Sequence, residues 1–221
     1  MVEIFLSTLP LSLAASVSVT SFLLFFAALL AKENQLQNGL AFIIGGVIAN
    51  AVIMFAVLFS FGHAAPASSP YHNNIHAVAN FILAAICLIL VILSLKKKDE
   101  PEKKKETKPP GGVFAYLVSG ALMRLVSANT VPPFIDAVKD VSGAHLPVMS
   151  STILCTLIMV VTMSPLIAIW LIFLFNKEKA LALINPIGEF LDRNKKMISN
   201  ITLILIAIYL VFLGFKHLGI L

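Results

Sequence analysis

Long apolar runs separated by short polar breaks organise this chain, and none of them shows the roughly ten-residue alternation of a barrel strand. No charged residue lies between Glu3 and Lys32, a run of 28 residues that predicts one membrane span over 4–31. Residues 34 to 95 are also uncharged, and at 62 residues they are too many for one helix, because about 20 apolar residues cross the hydrocarbon. A polar break from His63 to His76, with Pro66, Pro70, Asn73 and Asn74, divides that stretch into spans at 39–61 and 76–95. A fourth span at 113–138 is interrupted by Arg124, a fifth covers 147–175 and a sixth covers 197–216. The fold class predicted is an all-α, polytopic membrane protein with six transmembrane helices.

Composition narrows the function. Apolar residues make up 59% of the 221 positions, against about 45–50% in soluble domains. Charged residues are 12%, half the usual share of about 25%. After six spans no length is left for a separate catalytic domain, and no nucleophile-base pair, metal-ligand motif or phosphate loop is present, so an enzyme is not expected. No cofactor and no nucleic-acid partner is expected either. Glu3 and the length of the first apolar run argue against a cleavable signal peptide. With six spans, thirteen of the sixteen Lys and Arg residues fall on one side of the membrane. The tendency of cytoplasmic loops to retain cations then puts both termini outside the cytoplasmic membrane.

The one long hydrophilic stretch, residues 96–112, reads KKKDEPEKKKETKPPGG and has no large apolar side chain. It is read as a cytoplasmic linker between two three-helix halves, 1–95 and 113–221. Three spans per half force the halves into opposite orientations, which predicts a 3+3 inverted repeat. A weak likeness supports it. The first span carries Ser16, Ser18, Thr20 and Ser21 near its middle, and the fourth carries Ser127, Asn129, Thr130, Pro132 and Pro133 at similar depth. Corresponding interrupted helices point to a substrate site where the interruptions meet.

Arg124 is the sharpest single feature, about 16 Å into its span at 1.5 Å per residue. A cation at the bilayer centre costs about 2.5–3.5 kcal/mol, so Arg124 is expected to face a cavity; the competing reading is snorkelling to the surface. Asp136 is expected near the outer surface. Asn50 lies in the second span, where with Asn129 it is a candidate to line a path; Asn80 in the third is read as a helix cross-link. Gly45, Gly46 and Ala49 form a small-residue patch suited to close helix contact. His63, His72 and His76 lack the carboxylate or thiolate that would complete a metal site, so no metal is assigned. Cys87 and Cys155 are not in a Cys-x-x-Cys motif and are read as small buried side chains. Asn185 and Pro186 predict the start of an amphipathic surface helix over 185–196.

The stretches NGLAFIIGGVIAN (38–50), SGALMRLVSANTVPPF (119–134) and INPIGEFLDRNKKMISNITLILIAIYLVFLGFKHL (184–218) together resemble the lysine-exporter (LysE) superfamily, and within it the Sap-like branch, named for a sulfolipid-addressing protein. The third is the most specific, because that branch ends with a short acidic and basic helix, an Asn-containing turn and a final span with small residues. The resemblance covers nearly the whole chain. It implies export across the cytoplasmic membrane, of amino acids or metal ions in some branches and glycolipid delivery in this one. It also implies that Asn129, Pro132 and the first-span polar cluster line a cavity, and that a homodimer forms. Where the family often has an Asn-Pro or Ser-Pro step, this chain has Asn129 followed by Thr130, with proline only at 132 and 133.

The function expected is a secondary transporter exporting a small polar or amphiphilic solute by alternating access, with membrane lipid and that solute as partners. The candidate site residues are Ser16, Ser18, Thr20, Asn50, Arg124, Ser127, Asn129, Thr130 and Pro132. The alternatives are a transmembrane thiol or electron carrier and a scaffold assisting delivery of a lipid product.

Overall fold

The computed structural model describes residues 2–62, 70–96, 112–127, 129–144 and 146–220. These form eight helices: α1 (Val2–Ser16), α2 (Val19–Leu29), α3 (Gln35–Gly62), α4 (Pro70–Lys96), α5 (Val113–Val126), α6 (Val131–Gly143), α7 (Val148–Phe175) and α8 (Lys177–His217). His63 and linker residues 97–111 lie outside the described residues, as do the side chains of His72 and His76. Helices α3, α4, α7 and α8 are each long and apolar enough to cross a membrane. The pairs α1/α2, bent by 60°, and α5/α6, bent by 75°, each pass the same test as one broken span. The protein is an all-α, multi-pass membrane protein with four to six crossings among the described residues.

The break between α1 and α2 contains no proline; hydroxyl groups make it. Ser12 Oγ donates to the Thr8 carbonyl at 2.9 Å and Ser16 Oγ to the Leu13 carbonyl at 2.7 Å, local bonds that compete with the helical ladder. Ser18 then takes an extended conformation, φ −132° and ψ 103°, and caps α2 by accepting from the Ser21 amide at 3.4 Å. In the second break Pro132 and Pro133 fall in the first turn of α6. Amides in that turn have no partner inside the helix. Proline there removes donors that lipid could not satisfy.

At the C-terminal end the structure differs from the expectation of a surface helix at 185–196 followed by a separate span. Helix α8 runs unbroken from Lys177 to His217, and its cap is Asn176, whose side chain accepts from the Lys179 amide at 2.9 Å. Pro186 costs one intrahelical bond. Ala180 and Ile184, in the turns before it, are buried with Phe25, Phe26 and Phe173, and this packing carries the helix through. Its 41 residues give a rod of about 60 Å, twice the roughly 30 Å of hydrocarbon.

Two apolar clusters sit at opposite ends of the bundle. One joins Leu11 and Ala15 of α1 with Met54, Cys87, Phe134, Val138, Ile158 and Ile206. The other joins Phe25 and Phe26 of α2 with Phe42, Met163, Leu166, Phe173 and Ile184. Along α3, Asn50 falls between Phe42 and Met54; along α7, Thr162 falls between Ile158 and Met163; along α8, Ser199 and Asn200 fall between Ile184 and Leu203. A polar belt therefore separates the clusters at the level of both helix breaks. Helices α3 and α5 make the tightest crossing. A Cβ on Gly45 would lie 1.9 Å from the Leu117 carbonyl oxygen, and one on Gly120 would lie 2.1 Å from that of Phe42.

Candidate functional site

The two breaks meet. Ser18 Oγ lies 3.0 Å from Ser127 Oγ, so the cap of α2 touches the end of α5. Ser21 Oγ donates to Ser18 Oγ at 2.9 Å and Thr130 Oγ1 to Ser127 Oγ at 3.1 Å. Four hydroxyls thus form one chain across the break of each half. Their geometry places two helix N-termini, of α2 and α6, beside two C-termini, of α1 and α5. Each end carries about half an elementary charge of alternate sign.

Arg124 lies in the last turn of α5 and is only 2% exposed. Its Nη1 donates to the Ala15 carbonyl at 3.1 Å and its Nη2 to the Thr162 carbonyl at 3.4 Å, with Met163 Sδ at 3.5 Å. The guanidinium does not snorkel; it reaches inward to the freed end of α1. Thr162 belongs to the stretch of α7 loosened by Pro165, where Ser164 Oγ bonds the Val161 carbonyl at 2.8 Å, the acceptor that the proline nitrogen cannot serve. The partners of Arg124 among the described residues are two carbonyls and a thioether. None is an anion, so a full positive charge is buried in the polar belt, held by dipoles.

Asn50 is fully buried, and neither its Oδ1 nor its Nδ2 has a hydrogen-bond partner among the described residues. It lies one helical turn beyond Gly46, where an added Cβ would come within 3.4 Å of Arg124 Cγ. A buried amide left unpaired costs about 1–3 kcal/mol. Asn50 thus leaves a donor and an acceptor unused one turn along α3 from the Gly46–Arg124 approach.

The structure joins Ser18, Ser127 and Thr130 by hydrogen bonds and holds Arg124, one turn before Ser127, on the Ala15 carbonyl; Asn50 is buried one turn along α3 from the Gly46–Arg124 approach. Ser16 is buried but turned back onto its own helix. Pro132 is buried in the first turn of α6 and shapes the break. Two expectations need correction. Thr20 is exposed on α2, since the cap turns its side of the helix outward. Asn129 exchanges hydrogen bonds with Ser199 of α8, at 2.9 and 3.2 Å, so its amide is used in helix packing rather than in a pair with Asn50.

Asp136 corrects a third. The sequence puts it near the outer surface, yet it is fully buried and paired with Lys139, which is fully buried as well. The signal was present in the sequence: Asp136, Lys139 and Asp140 stand at i, i+3 and i+4, on one helix face. Cys87 and Cys155 are free, buried thiols in the same apolar cluster. Replacing both by alanine is expected to leave solute flux in proteoliposomes at the parent level; loss of flux would restore the thiol-carrier reading.

A groove of about 400 Å³ opens beside the break, between α1 and α8. Pro10, Leu11, Leu13, Ala14 and Val17 line one wall, and Thr202, Leu205, Ile206 and Tyr209 the other. Its lining is almost wholly apolar, and Val17 in that lining precedes Ser18 in the chain.

No curated protein and no solved structure matches this chain. One family does: its description reads Sap, sulfolipid-1-addressing protein, and the match runs over residues 9–216, from the middle of α1 to the end of α8. The chain belongs to the sulfolipid-1-addressing protein (Sap) family.

Proposed function

We propose that this protein is a carrier, not an enzyme, and that it exports an anionic amphiphile across the cytoplasmic membrane by alternating access. The observation that carries the reading is Arg124, a cation buried where two broken helices meet and balanced there only by carbonyl dipoles and a thioether. A charge-assisted bond to a sulfate, phosphate or carboxylate is the strongest interaction that such a group can form. Ser18, Ser127, Thr130 and the unpaired Asn50 supply neutral donors and acceptors around it. The α1–α8 groove is apolar and within the usual pocket range of about 300–1,000 Å³, which suits an acyl chain continuous with that head group. The family description names a sulfolipid, a molecule of this kind.

The pairing of elements supports alternating access. Helix α5 packs on α3 as α1 packs on α7; α2 packs on α3 as α6 packs on α7; α1 packs on α6 as α5 packs on α2. These three pairs of contacts interchange when the halves are exchanged, which supports a 3+3 inverted repeat of the lysine-exporter kind. Rocking one half against the other would part Ser18 from Ser127 and open the belt to alternate sides. A cytoplasmic linker with both termini outside is supported by the thirteen Lys and Arg residues that six spans would gather on one side.

The test is flux in proteoliposomes of a fluorescent sulfated lipid, compared with carboxylated and zwitterionic analogues. Protein-dependent flux that prefers the anionic probes is expected. Equal rates with and without protein for every probe would overturn the reading. Ala14→Trp fills the groove from α1 and is expected to slow the sulfated lipid severalfold at unchanged thermal stability.

A further inference from the structure

A second charged cluster lies at the end of the bundle away from Arg124. Lys139 Nζ donates to Asp136 Oδ1 and to Asn80 Oδ1 of α4, and all three residues are fully buried. Asp140, one turn beyond Asp136, has its Oδ1 shielded from solvent without a hydrogen-bond partner among the described residues, and Asn80 Nδ2 is in the same condition. Lys139 balances one of the two carboxylates, and the second, on half-buried Asp140, has the exposed Lys216 of α8 as the further cation within electrostatic reach. A charge there is expensive unless it is neutralised.

We propose that Asp136, Lys139 and Asp140 with Asn80 form a proton-binding site, in which Asp140 Oδ1 gains an O–H bond from an aqueous proton and returns it on release. Protonation neutralises the second carboxylate. It also turns an orphaned acceptor into a donor. A metal or sodium ion suits the site less well, because the Lys139 ammonium already occupies the space between the oxygens. The described residues contain no group of three His, Cys, Asp or Glu that could hold a metal.

The surroundings add few competing groups. Helix α6 packs on α1, α3, α4, α5 and α7. Of these, α3 carries no ionisable side chain, α1 only the exposed Glu3, α7 only Cys155, and α5 only Tyr116 and Arg124 across the break. The α4 helix carries Tyr71, His72, His76, Cys87 and Lys96. From α8, Tyr209 and the exposed Lys216 lie within electrostatic reach of Asp140. The site sits on the α6 half of a broken span, the element that must move in the proposed cycle. Proton binding stands independently of the transport reading; its coupling to export rests on that reading.

The first measurement is infrared difference spectroscopy of the whole protein in nanodiscs, titrated over about pH 5–9. A C=O band from a protonated carboxyl in a non-aqueous environment is expected; it should shift on carboxyl-labelling of aspartate, vanish in Asp140→Asn and persist in Asp140→Glu and in a His72→Gln/His76→Gln double variant. Asp140→Asn keeps the Asp136–Lys139 pair, so it should fold. Absence of the band from the parent, its survival in Asp140→Asn, or saturable binding of radioactive sodium at this site would overturn the proposal. The second measurement is flux of the sulfated lipid with and without a pH gradient. A severalfold stimulation that Asp140→Asn removes is expected, and equal stimulation of both proteins would overturn the coupling. Flux that is absent even from the parent would instead sink the transport reading and leave the spectroscopic result standing.

Discussion

Arg124→Gln is expected to lose nearly all flux of an anionic amphiphile while the protein still reaches the membrane. Glutamine keeps a donor toward the Ala15 carbonyl but removes the charge. Bonds involving a charged group contribute about 1.5–3 kcal/mol each, which is roughly tenfold to more than a hundredfold in affinity for the head group. Arg124→Lys separates charge from geometry. Lysine restores the cation but not the planar fork that spans α1 and α7, so partial recovery is expected, with the preference for anionic over zwitterionic probes retained. Parent-level flux in Arg124→Gln, measured by quenching of the labelled lipid, would remove the head-group site from this place.

Gly120→Val is expected to prevent the bundle from assembling. Even the first carbon of a side chain at this position would fall 2.1 Å from the Phe42 carbonyl oxygen, and the reciprocal contact from Gly45 to Leu117 is 1.9 Å. The obstacle on both sides is backbone, which cannot rotate away as a side chain does. The two helices must separate, exposing the α3–α5 seam and moving Arg124 with it. Overpacking of ordinary side chains costs about 1–3 kcal/mol; a backbone clash on both faces of one crossing should exceed that range. Thermal denaturation monitored by size-exclusion chromatography in detergent is the measurement, with loss of the monodisperse peak expected. Gly188→Ala is the control. Its Cβ would meet only the Phe26 ring at 3.5 Å, an ordinary contact, and alanine favours a helix by about 1 kcal/mol over glycine, so the melting temperature should hold or rise.

Which spans break, and at which residues, was largely legible in the sequence. A cluster of hydroxyls inside an apolar run offers the backbone competing bonds, and paired prolines withhold donors; both are local effects, so Ser16–Ser21 and Ser127–Pro133 could be read without a partner. Arg124 was legible for the same reason, since a cation in an apolar run must be solvated by something. The exposure of Thr20 and the attachment of Asn129 to Ser199 were not legible, because each depends on how a helix is rotated against its neighbours. Asp136 is expected at the surface because charge near a span end reads as a sign of water, yet its partner Lys139 stands one turn away on the same helix face. Each neutralises the other, and a paired charge no longer marks the surface.

Insertion into lipid is close to a sum over residues, taken one run at a time, and for that reason the spacing of charges along this chain determined the all-helical membrane fold, its apolar runs and the two interrupted ones. Contact between those interruptions is a property of pairs. Ser18 and Ser127 are 109 residues apart, and they meet at 3.0 Å where α2 packs on α5, beside an α3–α5 crossing that the absence of side chains at Gly45 and Gly120 allows. Only the packed bundle decided which acceptors Arg124 would find, that Asn50 would have none, and that α8 would run through its proline, because burial against neighbouring helices outweighs any preference that a single segment carries by itself.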